Sequence, residues 1–319
     1  MDKTIPICCG VDVHKKFLVA TILTGDYLIP QCKQKHFGTS FRNLLAFKQW
    51  LLDNNCKDVC MESTGKYWVP VWNVLEGVVN VVVANPKWVS AVKGNKDDKK
   101  DSKWIGNLFR MGLVPSSYIP GKDIRVLREF TRYRSKLVSM RASEKNRYQN
   151  AFTVCNLTLD AVVSDMFGKS ATAIENYLLD TDVVDPEFCV SLLHWKLKPK
   201  SAEIIEAVEG FNMTPEQKER VRIVQGHFND IDKRISQIDE IISRLTAEYE
   251  GTISLLCTIP GIDRRLAITI ISEIGTDMSE FGSSRCLCSW AGLVPGNNQS
   301  AGKKKSVKIT RAGVYLKPA

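Results

Sequence analysis

A chain of 319 residues has room for two domains of ordinary size and a connecting element, which argues against a single small module. Its 44 lysines and arginines outweigh 35 aspartates and glutamates, leaving a formal charge of +9 and a pI near 9.0. That balance favours a polyanionic partner such as nucleic acid, although a mildly basic protein without one has the same composition.

In chain order, residues 5–37 hold three β-rich runs, IPICCGVDV, KFLVATILT and YLIPQCKQKHF, separated by short polar or glycine-containing breaks. They read as a meander. Residues 40–54 follow, with Phe41, Leu44, Leu45, Phe47, Leu51 and Leu52 largely repeating at three and four, a helical period. DVCMEST then reads as a strand, WVPVWNVLEG as a short helix, VNVVVAN as a buried strand and DSKWIGNLFRMG as a helix. The predicted order is βββ, α, β, α, β, α.

Residues 123–154 form a predicted helix carrying Arg125, Arg128, Arg132, Arg134, Lys136, Arg141, Lys145 and Arg147 against few acids, too basic for a plain core helix. With Asn146, its Arg132, Arg134, Lys136 and Arg147 are candidate nucleic-acid-binding residues. Tyr67, Trp68 and Tyr133 lie near charges and suit either base stacking or core packing. Residues 156–215 read as helical, with breaks around Pro186 and Pro199. Next, Val224, Phe228, Ile231, Ile235, Ile238, Ile242 and Leu245 alternate by four and three over three heptads, a coiled-coil seam that requires a partner helix. That helix can belong to a second copy, giving a homo-oligomer (dimer or tetramer), or to the same chain. The segment LLCTIPGIDRRLAITIISEIG places two helices around a Pro-Gly turn, the shape of a helix-hairpin-helix, in which backbone N–H groups can face a phosphate.

The ten cysteines are irregularly spaced, lie mostly in apolar stretches and follow no signal-like segment, so reduced thiols and a cytoplasmic location are expected. No CxxC pair occurs, and His14, His36, His194 and His227 are scattered, so no zinc site is expected. The most apolar short run, residues 78–84, falls far below the roughly 20 residues of a membrane span, and no membrane partner is expected.

In a βββαβαβα order the first and fourth strands lie side by side, which lets Asp12 in GVDVHK approach Glu62 in MESTGKY. Asp98 and Asp101, three residues apart in KGNKDDKKDSKW, share one helical face at the start of the following helix. Their neighbour Asp97 is out of phase. Each acid alone suits a solvated or helix-capping role. Together they are oxygen donors of the kind hard divalent cations prefer, and two such ions about 4 Å apart stabilise attacking and leaving oxygens in phosphoryl transfer. The expected cofactor is Mg²⁺ or Mn²⁺, as two ions.

At these residues the chain resembles the DEDD family of insertion-sequence transposases that includes the Piv DNA invertases. The likeness covers GVDVHK, MESTGKYW, ANPKWVSAVKGNKDDKKDSKWIGNLFRMGLV, LREFTRYRSKLV, KNRYQN, IPGIDRRLAITIISEIG and SWAGLVPGNNQSAGKKK. It implies an α/β RNase H-like (RuvC-like) catalytic domain over 1–118, a helical, coiled-coil connector over 119–250, and a mainly α transposase domain with the helix-hairpin-helix over 251–319. It also implies that Asp12, Glu62, Asp98 and Asp101 are the catalytic, metal-holding tetrad and that Ser300, in GNNQSAGKKK, is a nucleophile. From the residues alone, Ser300 in a Gly-rich polar loop with no His or Asp base nearby in sequence is better explained by a turn, while Lys303, Lys304 and Lys305 could neutralise a phosphate beside it. Family likeness further implies a structured non-coding RNA that pairs with donor and target DNA. Relatives continue beyond the point where this chain stops, so a shortened C-terminal domain is expected.

The leading reading is therefore a transposase or site-specific recombinase that cleaves and rejoins DNA through a serine–DNA intermediate. A RuvC-like metal-dependent nuclease without a covalent step, and a catalytically defective transposase relic that only binds nucleic acid, fit the same features less completely.

Overall fold

Alternating apolar residues over 8–38 become an antiparallel meander: β1 (Cys8–Val13), β2 (Phe17–Thr24) and β3 (Gln31–Gly38). The computed structural model describes residues 5–27, 29–63, 65–89, 98–295, 298–300, 303–306, 308–309 and 313–317, with 87–88, 98–99, 298–300 and 304–306 described by their backbone. After the meander come α1 (Phe41–Asp53), β4 (Asp58–Glu62), α2 (Trp68–Leu75), β5 (Asn80–Ala84), α3 (Pro86–Val89) and α4 (Asp98–Arg110). β4 pairs in parallel with both β1 and β5, giving a five-stranded mixed sheet in the order β3-β2-β1-β4-β5. The first and fourth strands are adjacent, as the sequence predicts.

Strand alternation sends side chains to two cores. Val11, Ala20, Ile22, Val59 and Met61 pack with Phe47, Trp50, Leu51, Val71 and Leu75 of α1 and α2. Cys8, Leu23, Cys60 and Ala84 on the opposite face pack with Ile105 and Phe109 of α4. Both faces are covered, which explains why β1 and β2 read as apolar runs. Burial pushes the thiols of Cys8, Cys56 and Cys60 up to about 12, and Cys9 is raised by the same cause. Cys32, Cys257 and Cys286 are exposed.

The chain divides into two compact units, residues 1–119 and 120–319, so connector and C-terminal segment belong to one unit. In the second unit, α5 (Lys122–Thr153) lies antiparallel to α9 (Pro215–Leu245): Arg134 bonds Asp239, Arg141 bonds Asp232, and Glu144 faces His227. A capping box fixes the start of α9, with Thr214 and Gln217 exchanging side-chain and backbone hydrogen bonds and Pro215 next in line.

The heptad seam is covered from within. Ile231, Ile235, Ile238 and Ile242 pack against Ile124, Leu127 and Leu137 of α5 and Ala267, Ile268 and Ile271 of α11 (Arg264–Ile274). Phe228 instead meets Tyr148 and Phe167 edge-on. An expectation of oligomerisation drawn from this seam loses its basis, because its apolar side chains already have partners in the same chain.

α6 (Lys169–Asp180), α7 (Pro186–Ser191) and α8 (Ser201–Val208) build a second core with Phe152, Ile174, Leu178 and Ile204. α10 (Glu250–Leu256) and α11 flank the Pro-Gly turn, where Gly261 has a φ of +90°. Asp263 caps α11 by accepting from the Leu266 N–H at 2.8 Å. A carboxylate of the chain thus satisfies one of the amide donors at the start of α11. α12 (Ser284–Trp290) and a hairpin of β6 (Asn298–Ser300) and β7 (Lys303–Ser306) follow.

One acid lies deep in the α5–α8 core. Glu175 is 1% exposed; its Oε2 accepts from the Tyr148 hydroxyl at 3.1 Å, and its Oε1 has no partner among the described residues. Burial chiefly, with the charge of Asp165, raises its carboxyl from 4.5 to about 8 against the lowering effect of the Tyr148 bond. Between those two values the folded state keeps a proton that the unfolded chain releases, so this group's contribution falls as pH rises from about 4.5 to about 8 and is level above. Glu175→Gln should match the wild type in urea unfolding near pH 5 and exceed it above pH 8. Parallel curves for the two proteins across that range would show that Glu175 ionises freely.

Candidate functional site

The register Cys9↔Val59, Gly10↔Cys60, Val11↔Met61 brings the next residues of β1 and β4, Asp12 and Glu62, to neighbouring positions at the ends of parallel strands. Since Val11 and Met61 enter the α1–α2 core, alternation puts Asp12 and Glu62 on the face that carries α4. α4 runs antiparallel to β1. Its C-terminal Arg110 reaches the carbonyls of Ile5 and Pro6 ahead of β1, the Cys8 thiol meets the Gly106 carbonyl at 3.5 Å, and Ser102 lies over Gly10. The helix start, with Asp98 and Asp101, is thereby carried toward the Asp12 end of the strand.

Two glycines allow this approach. A Cβ on Gly10 would fall 2.1 Å from the Ser102 carbonyl oxygen and 2.3 Å from the Gly106 nitrogen, and a Cβ on Gly106 would fall 2.8 Å from Leu23. Backbone therefore rests on backbone. A buried polar network locks the register: the Thr21 and Ser102 hydroxyls are 2.7 Å apart, and the Gln34 amide donates to Thr21 at 2.8 Å and to Ser102 at 3.2 Å. At the other end the buried Arg110 guanidinium donates to the carbonyls of Ile5, Pro6, Gly25 and Asp26 and lies 4.3 Å from the Tyr27 ring centre.

Asp12 is largely buried, and its Oδ2 is 3.1 Å from His14 Nε2. Asp101 and Glu62 are half-buried, whereas the side chain of Asp98 and all of Asp97 lie outside the described residues. Among the predicted tetrad, Asp12 and Glu62 are neighbours at strand ends, and the helix that carries Asp98 and Asp101 begins toward that end of the strand. Among the described residues no three of the acidic, histidine or cysteine side chains close to metal-binding distance. His14, Thr21, Gln34 and Ser102 were not singled out from the sequence. A hydroxyl inside the apolar run of β2 and a glycine amid the α4 pattern were the available signals.

Ser300 ends a strand, paired with Lys303 across the β6–β7 hairpin, and is not in an open loop; its side chain and those of Lys304 and Lys305 lie outside the described residues. Lys303 is exposed. The basic helix also differs from expectation. Arg132 donates through Nε and Nη2 to both carboxylate oxygens of Glu273 at 2.7 Å, Arg134 likewise grips Asp239 at 2.5 and 3.1 Å, and Arg147 bonds Glu144. Acids within the unit therefore pair with Arg132, Arg134 and Arg147, and Arg147 stays exposed along with Lys136 and Asn146. Trp68 packs edge-on to Trp72 at 6.2 Å, while Tyr67 and Tyr133 are exposed.

Two family models match the chain: a transposase model of the DEDD, IS110 type over residues 9–156, and the model described as "Transposase IS116/IS110/IS902 family" over residues 253–318. The chain belongs to the IS110 family of insertion-sequence transposases. It is thus a DNA transposase, an enzyme. The matched segments hold Asp12, Glu62, Asp98 and Asp101 in one model and Ser300 in the other. No match is found among curated proteins. The solved structure of RuvC from Thermus thermophilus is similar at 14% identity over 35% of the transposase and 99% of RuvC, with a TM-score of 0.29. Among the described residues of the transposase, no helix is long and apolar enough to cross a membrane.

Thr21→Val should leave Ser102 and Gln34 with a missing partner in a buried site, at a cost of about 1–3 kcal/mol. We expect a lower urea midpoint and faster amide hydrogen exchange along α4, with Thr21→Ser much milder. Unchanged exchange in α4 would show that the network does not hold the helix.

Proposed function

We propose that this transposase cleaves and rejoins DNA with the carboxylates of Asp12, Glu62, Asp98 and Asp101 holding divalent cations, Mg²⁺ or Mn²⁺, and with Ser300 as the nucleophile. The observation that supports the reading is the adjacency of the parallel strand ends that carry Asp12 and Glu62, with α4, which starts at Asp98, running antiparallel to β1. An all-oxygen donor set suits hard cations, so the residues present fit the ions. When bound, such ions neutralise charge on a phosphodiester and stabilise the departing oxygen.

The chain's own groups supply the rest. Asp12, on a strand buried on both faces, is a fixed ligand, and the Thr21–Ser102–Gln34 network holds the helix that carries Asp98 and Asp101. In the covalent step, Ser300 Oγ gives its proton to solvent and forms an Oγ–P bond, one P–O bond of the strand breaks, and the departing sugar oxygen takes up a proton. Lys303, on the facing strand, is near enough in sequence and pairing to offset charge beside that phosphate. A structured non-coding RNA as guide rests on family likeness, and exposed Lys136 and Asn146 are compatible surface for it.

A second reading, a metal-dependent nuclease without a covalent step, is favoured by one feature: Ser300 is a paired strand residue. Trapping a nicked substrate separates the two. Wild type should give a denaturation-resistant protein–DNA adduct that Ser300→Ala cannot form. An adduct persisting in that variant moves the nucleophile elsewhere, and cleavage with no adduct in either protein favours hydrolysis.

Asp12→Ala, Glu62→Ala and Asp101→Ala should each abolish cleavage while leaving thermal unfolding and DNA binding close to wild type, because each removes a donor at the edge of the core. Cleavage should also stop in excess EDTA and return with Mg²⁺ or Mn²⁺. Full cleavage by any one variant removes that residue from the site.

A further inference from the structure

Two adjoining cavities lie within the second unit, of about 380 Å³ and 230 Å³. They share Thr131, Ser135, Arg265 and Thr269, so they form one continuous trough along α5 and α11, with α9 closing one side. Arg132, Arg134, Arg264 and Arg265 line it against two carboxylates, Asp239 and Glu273.

Those two carboxylates do not repel an incoming anion as bare charges would. Glu273 is bound by both Nε and Nη2 of Arg132, and Asp239 by the same two nitrogens of Arg134. A guanidinium carries five N–H donors, so the Nη1 donors of Arg132 and Arg134 are not used in these pairs, and the pairing fixes their planes. Arg264 is held by Glu250. Arg265 differs: it is exposed, and among the described residues its guanidinium has neither an ion pair nor a hydrogen bond. The hydroxyls of Ser135 and Ser243, on the same walls, likewise have no hydrogen-bond partner among the described residues. The trough thus combines surplus positive charge, unengaged donors and an apolar floor of Val138, Ile242 and Ile268.

We propose that this trough seats the phosphodiester backbone of a nucleic acid, with Arg265 as the principal phosphate contact and Ser135 and Ser243 as neutral donors beside it. The proposal rests on the transposase reading for the identity of its polyanion, and it places the contact in a groove that α5 shares with α11 and α9. Such contacts position a strand without reading its bases.

The test measures binding of the full chain, in EDTA so that no cleavage occurs, to duplex DNA and to structured RNA across a potassium chloride series. Arg265→Ala should lower the slope of log affinity against log salt by about one for the polymer that occupies the trough, and Arg265→Lys should preserve it. Arg234→Ala, on the exposed side of α9, is the control and should leave the slope unchanged. A change with DNA, with RNA or with both supports the site and names its occupant. An unchanged slope with both polymers, or an equal change in the Arg234→Ala control, overturns it. Inorganic phosphate provides the independent probe: it should raise the thermal midpoint of the wild type more than that of Arg265→Ala. Wild type that responds to phosphate but binds neither polymer keeps the anion site and fails the transposase reading alone. Wild type indifferent to all three ligands overturns the site itself.

Discussion

A Cβ on Gly10 would sit 2.1 Å from the backbone of α4, closer than any side chain tolerates, and most of the first unit's chemistry depends on that vacancy. Helices usually rest on sheets through side chains and stand off by their length. Here the standoff is removed at one point, and the strand bearing Asp12 and the helix bearing Asp98 and Asp101 meet directly. Once the backbones touch, Thr21, Ser102 and Gln34 can bond across three elements, and a one-residue slip of the helix would break both bonds to Ser102. Arg110 fixes the opposite end by gathering carbonyls from the segment before β1 and from the β2–β3 turn. A helix held at both ends presents its first turn in one orientation, as a constellation of like charges requires if it is to form before any cation neutralises it.

The second unit solves a different problem, the accommodation of a helix dense in arginine. Asp232, Asp239 and Glu273 accept the charges of Arg141, Arg134 and Arg132, and the two-pronged geometry fixes the antiparallel register of α5 on α9 and the angle of α11 across them. Glu273 is only 5% exposed, so losing Arg132 would leave a buried carboxylate with Arg128, at 3.8 Å, as its other cation, whereas Asp232 and Asp239 stay open to solvent. Much of the positive charge of α5 is therefore engaged in local structure, and what remains for an external anion lies where the pairs leave donors over.

The strand and helix order of the first unit was legible because each element carries its own period: two in the meander, three to four in α1 and α4. Parallel adjacency of β1 and β4 followed from the order alone, and with it the neighbourhood of Asp12 and Glu62. What escaped reading was pairing across long separations. The acids that neutralise Arg134 and Arg132 lie 105 and 141 positions away, so a local window overstates the charge of α5. The α9 seam announced that it needed a partner but carried no mark of whose helix it would be. Ser300 was expected in a loop because Gly and polar neighbours dominate its surroundings, yet short strands in a two-stranded hairpin are compatible with that composition.

The distribution of thiols carries a practical corollary. Only the thiolate reacts readily with electrophiles and oxidants, and burial holds Cys8, Cys9, Cys56 and Cys60 protonated far above neutral pH. The sheet interior is accordingly inert to alkylation and to peroxide while it stays folded. Cys32 on β3 and Cys257 and Cys286 in the second unit are exposed. Fluorophores or spin labels can therefore be attached to both units of the natural chain without engineering, leaving the strand that carries Asp12 untouched, and labelling of the interior thiols would itself report local opening of the sheet.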